Sequence, residues 1–205
     1  MKAALVVARL HGLGVPAVTT SDAAAALQLS IGATSQALGR LAEAGVIKKV
    51  RKGLWAVSEK VDPLALTEYV TQPYPSYVSL QTALYLHGMV DQIPAMTYVV
   101  SLGRTGRVRT GVGAFSVHQV APEFFGGALL DHRTGVRLAS PEKALVDTLY
   151  LSGGRSRLFA RLPELELPAS FRVREARRWA GRIPSRRLRT IVTRKLDGVL
   201  ARRQP

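Results

Sequence analysis

The chain contains no cysteine. That excludes disulfides, thiolate zinc sites, cysteine-ligated iron–sulfur clusters and cysteine nucleophiles, and it fits a reducing compartment. Acidic residues are scarce, 14 against 29 lysines and arginines, and they are scattered, so neither a paired-carboxylate nor a two-metal site is expected. No apolar run reaches the roughly 18–20 residues that a membrane span requires. The opening stretch MKAALVVARLHGLG is interrupted by Arg9 and His11 and lacks a small-residue cleavage site, so it reads as a helix and not a signal peptide. His11, His87, His118 and His132 form no i, i+4 pair, so no metal is expected. The glycines between Gly103 and Gly113 are followed by no G-K-[S/T], and Ser140-Pro141-Glu142-Lys143 matches S-x-x-K without its companion motifs. The expectation is a protein with no catalytic residues and no cofactor.

What is present is positive charge. The net formal charge of +15 calls for a polyanionic partner. It is unevenly placed: residues 1–60 carry +5, residues 61–154 carry −1 and residues 155–205 carry +11. A nearly neutral middle is thus flanked by two cationic ends. Apolar residues make up 47% of the 205, enough for a packed core, and the expected class is α+β.

Local signals divide residues 1–60 into three helices and a hairpin. A first helix is expected over Lys2–Leu13, stopped by Gly12 or Gly14 and Pro16. Thr19-Thr20-Ser21-Asp22 supplies capping residues for Ala23–Leu29, and Ser30 caps a third helix from Ile31 to about Ala44. V-I-K-K-V, a turn at Arg51-Lys52-Gly53 and L-W-A-V make a basic two-stranded hairpin. This order predicts a winged helix-turn-helix, with helix three in the major groove and the hairpin along the backbone. On helix three Leu38 and Leu41 face inward, leaving Ala33, Ser35, Gln36, Gly39 and Arg40 outward. Gln36 suits an adenine edge, Arg40 a guanine edge or phosphate, and Ser35 either. Lys48, Lys49, Arg51 and Lys52 suit phosphates. The alternative is a protein-docking winged helix with a solvated Gln and Arg.

Residues 61–75 read as a connecting segment stiffened by Pro63, Pro73 and Pro75. Residues 76–154 alternate helix and strand, with helices over Leu80–His87 (capped by Ser79) and Glu142–Leu151 (capped by Ser140) and strands over Thr97–Leu102, Ala114–Val120 and Val136–Ala139. Residues 155–205 form a basic helical tail with helices over Phe171–Ala180 and Ser185–Arg203. Leu188, Ile191, Val192, Leu196, Val199 and Leu200 make one apolar stripe, leaving Arg186, Arg187, Arg189, Arg194, Arg202 and Arg203 largely off it. Such a helix can lie on the protein and offer arginines to DNA, to an acidic protein or to a membrane surface.

Two strings in the middle carry a resemblance: Y-V-S-L-Q-T-A-L-Y-L-H-G from Tyr77 to Gly88, followed by D-Q-I-P, and V-R-L-A-S-P-E-K-A-L-V-D from Val136 to Asp147. Over about residues 1–152 the chain resembles the AbiEi-type antitoxins of type IV toxin–antitoxin systems, which place a winged helix-turn-helix before an α/β antitoxin domain. The resemblance implies a protein that represses its own operon by binding inverted repeats in double-stranded promoter DNA; the chain is expected to be cytoplasmic and monomeric in solution, filling two half-sites cooperatively. It also implies neutralisation of a cognate nucleotidyltransferase-like toxin, with or without a stable complex. By the family pattern Ser79–Gly88 and Ser140–Asp147 are structural helices; the resemblance carries no positions into the tail, where Arg186, Arg187 and Arg189 are expected from their charge to extend the DNA footprint or touch the toxin. Two other readings stay open: a ligand-responsive winged-helix regulator without antitoxin activity, and a toxin-binding module with incidental DNA affinity.

Overall fold

A computed structural model describes residues 3–153 and 164–201. Lys2, Arg202, Arg203 and residues 154–163 of the expected tail lie outside the described residues. The fold is α+β, with eight α-helices and two sheets among the described residues.

The N-terminal unit begins with α1 (Ala3–His11), which buries Val6 and Leu10. Pro16 bars further helix, and the chain instead extends into β1 (Ala17–Thr19), a strand too short for alternation to announce it. Helix α2 (Thr20–Leu27) starts earlier than the sequence suggests because Thr19 is itself the cap. The Asp22 N–H donates to Thr19 Oγ1 at 3.1 Å and the Thr19 N–H to Asp22 Oδ2 at 3.3 Å, a reciprocal capping box. It stops at Gln28, which takes a left-handed φ of 57°, so Leu29 is not helical. Ser30 caps α3 (Ile31–Glu43) by accepting the Ala33 N–H at 3.2 Å. Strands β2 (Lys48–Arg51) and β3 (Leu54–Ala56) form the anticipated hairpin, and the sheet order is β1-β3-β2, all antiparallel.

The segment after the hairpin is structured, with Leu66, Thr67, Val70 and Thr71 buried. Asp62 accepts the Leu64 N–H at 2.9 Å and opens a 3-10 turn, Pro63–Leu66, which runs into α4 (Thr67–Thr71). Beyond it lies a six-stranded sheet, order β6-β7-β5-β4-β9-β8: β4 (Ser76–Val78), β5 (Thr97–Ser101), β6 (Gly106–Thr110), β7 (Gly113–Gln119), β8 (Ala128–Asp131) and β9 (Val136–Ala139). The β4–β9 and β5–β7 pairs are parallel and the others antiparallel. Helix α5 (Leu80–Leu86) follows β4, and α6 (Pro141–Ser152) follows β9. The C-terminal helices are α7 (Val173–Gly181) and α8 (Arg186–Ala201).

Three buried clusters fix the arrangement. Helices α1–α3 cover one face of the small sheet around Leu10, Leu27, Leu38 and Trp55. The other face joins the large sheet: Ala17, Val50, Leu54 and Ala56 share a core with Leu66, Val70, Val99, Phe115 and Val117. The opposite face of the large sheet, marked by Val100 next to Val99, is covered by α5, α6, α7 and α8. The stripe anticipated on α8 is seen, with Val192 and Leu196 buried and Leu188, Val199 and Leu200 half-buried against the same core.

Candidate nucleic-acid interface

Helix α3 is divided by burial as its sequence suggests. Thr34, Leu38 and Leu41 are buried, whereas Ala33, Ser35, Gln36 and Arg40 are exposed and Gly39 is half-buried. The side chains of Ser35, Gln36 and Arg40 make no hydrogen bond or ion pair within the described residues, so their polar groups are available to a partner. A Cβ at Gly39 would meet nothing within 4 Å, which leaves that stretch of backbone approachable. Ile31 is 61% exposed at the start of the helix, an apolar contact of the kind that suits a thymine methyl. It was not among the expected contacts because apolar residues at a helix start read as core.

The hairpin lies beside this helix. Lys48, Lys49, Arg51 and Lys52 are all exposed. The turn is tight, with Gly53 at φ +76°, a position where a Cβ would be strained. Its tip is anchored to the start of α2: the Thr20 N–H donates to the Gly53 carbonyl at 2.9 Å and the Trp55 indole N–H to Thr20 Oγ1 at 2.9 Å. Lys49 Nζ stands 5.7 Å from the centre of the Trp55 ring, and Arg51 spends one guanidinium nitrogen on the Tyr69 carbonyl at 3.3 Å. Lys48 and Lys52 have no partner within the described residues.

The second basic zone is separate. Arg186 and Arg187 at the start of α8 are exposed and unpaired within the described residues, as are Arg174 on α7 and Arg194 on α8. Arg189 differs, donating to the Ile183 carbonyl at 2.8 Å and the Pro184 carbonyl at 3.4 Å, so its guanidinium shapes the turn before α8. Arg177 pairs with Asp197 at 3.2 Å, and Arg182 lies 4.8 Å above Trp179.

The two recurrent strings of the middle meet in a closed charge cluster. Ser140 accepts the Lys143 N–H at 3.2 Å as the cap of α6, which accounts for the S-x-x-K spacing. Ser79 does not cap α5. Its hydroxyl instead donates to Asp147 Oδ2 at 2.7 Å, where Tyr77 also donates at 3.2 Å, because a buried carboxylate left without donors is costly. Lys143 pairs with the other oxygen of Asp147, and its ammonium lies 3.8 Å from the centre of the Phe124 ring and 5.0 Å from that of Trp179. Burial pushes the Asp147 carboxyl up and the Lys143 ammonium down, and their mutual attraction opposes both shifts. The cluster is enclosed on all sides. It fixes α6 to β4 and offers no open face to a substrate.

Among the described residues no group of three or more His, Asp or Glu could hold a metal ion, and no helix is long and apolar enough to cross a membrane. No family model matches the chain, and no curated protein matches it.

Proposed function

We propose that the protein is a DNA-binding antitoxin that represses its own operon, with residues 1–60 acting as a winged helix-turn-helix. The observation that carries this reading is the division of α3. It presents free polar groups at Ser35, Gln36 and Arg40 next to a hairpin bearing Lys48, Lys49, Arg51 and Lys52. Helix three enters the major groove, Gln36 and Arg40 read base edges, and the hairpin cations hold phosphates. The order α1-β1-α2-α3-β2-β3 and the central place of β3 in the small sheet support the winged-helix assignment. The antitoxin part of the reading rests on the resemblance carried by Tyr77–Gly88 and Val136–Asp147. In this reading the toxin is nucleotidyltransferase-like, and Arg186 and Arg187 extend the DNA footprint or touch it.

The test is a salt titration of duplex binding with Arg51→Ala plus Lys52→Ala. Binding to the chain's own upstream region and to random DNA should weaken alike, and the slope of log K against log salt should fall by roughly 2. An unchanged slope removes the hairpin from the interface. Repression in a promoter reporter and rescue of growth on co-expression with the toxin then separate the two activities.

A second reading, a ligand-responsive regulator, is favoured by a cavity of about 230 Å³ lined by residues of both units, among them Gly14, Pro16, Tyr69, Tyr77 and Arg137. A small molecule that lowers operator affinity in the wild type, and fails to do so once Gly14 or Pro16 is enlarged, supports that reading over the first.

A further inference from the structure

The near-neutral charge of residues 61–154 conceals a local concentration. Three of their six basic residues, Arg104, Arg107 and Arg109, fall within the glycine-rich Gly103–Gly113 stretch. That stretch is not a plain loop. It forms edge strand β6, which pairs antiparallel with β7 from Gly106↔Val117 to Thr110↔Gly113. The tip of this hairpin is fastened to the N-terminal hairpin. The Gly111 N–H donates to the Val50 carbonyl at 3.0 Å, and a Cβ on Gly111 would lie 2.2 Å from the Lys49 carbonyl oxygen. Only a glycine permits that approach.

The register shows which way the charges point. Val50, Val108, Phe115 and Val117 point into the core shared by the two sheets. Lys49 is paired with Trp55, which faces the α1–α3 side, and so points away from that shared core. Arg107 and Arg109 alternate with Val108 along β6 and also point away from it. The Gly111–Val50 contact therefore joins β2, which carries Lys49 on its outward side, to the tip of the β6–β7 hairpin, from which Arg109 and then Arg107 follow along β6. All three arginines of the stretch are exposed, and none of their side chains has a hydrogen bond or ion pair within the described residues.

We infer that the β6–β7 hairpin is a second wing, in which Arg107 and Arg109 continue the basic edge of β2 and hold the phosphate backbone of the same duplex. The inference rests on the DNA-binding reading and deepens it, since it makes the body part of the reader. An arginine pair on an edge strand suits a phosphate row because each guanidinium can offer two parallel N–H donors. Docking through Gly111 sets the spacing between the two wings in advance, so no ordering cost falls on binding.

The experiment compares Arg107→Gln/Arg109→Gln with Lys48→Gln/Lys49→Gln by fluorescence anisotropy. The probes are a duplex from the chain's own upstream region and a scrambled duplex of equal length, each titrated from low to moderate salt. Both variants change exposed side chains only, and circular dichroism checks their folding. If the second wing is real, the arginine variant flattens the salt slope by roughly 2 and weakens binding to both duplexes about ten- to thirtyfold at physiological salt. Gly111→Val, which must push the hairpin off β2, gives a similar loss with both arginines intact. If the lysine variant lowers the slope and the arginine variant does not, the second wing is overturned while the DNA reading stands. An arginine variant that keeps its slope but loses toxin neutralisation overturns it too, by assigning the strip to a protein partner. If the wild type itself shows no salt-dependent binding to either duplex, the DNA reading fails and this inference with it.

Discussion

Lys143 and Asp147, one turn apart on α6, form an ion pair with both side chains wholly out of solvent. Tyr77 and Ser79 donate to the other oxygen of the carboxylate, and Phe124 and Trp179 flank the ammonium. Removing one partner strands the other charge in an apolar interior. Asp147→Asn should therefore cost about 3–5 kcal/mol in a urea unfolding curve. Lys143→Met combined with Asp147→Leu should recover most of that loss, leaving the cost of two hydroxyls without an acceptor. A double variant no better than the single one would show that the pair is not the source of the loss.

The second prediction concerns pH. His118 is buried in β7 with its Nε2 2.9 Å from Ser116 Oγ, and burial, aided by the Arg107 guanidinium, pushes the imidazole down to about 4. The folded chain thus refuses a proton that the unfolded chain takes up near pH 6.5. The stabilisation is complete above about pH 6.5 and is lost as pH falls toward 4. Between pH 7.5 and 4.5 the loss attributable to this residue should be about 2 kcal/mol. His118→Gln should flatten that part of the pH profile, measured as unfolding free energy at half-unit steps, and an equally steep profile would clear His118 of the effect.

A third concerns Gly127. It holds φ at +75°, and an added Cβ would lie 2.6 Å from the Trp179 ring. Gly127→Ala combines left-handed strain with overpacking and should cost about 2–4 kcal/mol. Gly135→Ala has the same sign of φ, +70°, but open space around it, so it should cost only the conformational part, about 1–2 kcal/mol. Equal losses at the two positions would count against the close contact with Trp179.

The fourth tests recognition. Gln36→Ala should weaken binding to the cognate operator by about 1–3 kcal/mol and leave binding to random DNA unchanged. Parallel loss on both duplexes would make Gln36 a backbone contact and move base reading elsewhere on α3.

The elements that could be read from the sequence are those whose signals are local. Ser30 and Ser140 cap the helices they were expected to cap, β9 spans Val136–Ala139 as its β-branched and apolar residues suggest, and the apolar stripe of α8 falls where its spacing puts it. What escaped are β1, β4, β6 and β8. Strands β1 and β4 have three residues each, too few to show a period of two. Strand β6, Gly-Arg-Val-Arg-Thr, is an edge whose polar composition resembles a loop, and β8 places Leu129 and Leu130 in the open on the opposite edge. The burial of Leu66 and Val70 was also hidden, because it depends on Val99, Phe115 and Val117, which arrive from far along the chain. Among the expected contacts, Ser35, Gln36 and Arg40 could be placed on an exposed surface from helical spacing, and the hairpin cations from their charge at a turn. The engagement of Arg189 with main-chain carbonyls could not, since it depends on how the chain turns at Pro184.

Ala17, Val50, Leu54 and Ala56 are interior on a flank of the small sheet that would be bare without Leu66, Val99 and Phe115. A cut anywhere near Ser58 would consequently yield two sticky fragments instead of two working halves. Truncation is a poor tool for dissecting this chain, and point substitutions on its outer faces are the sound one.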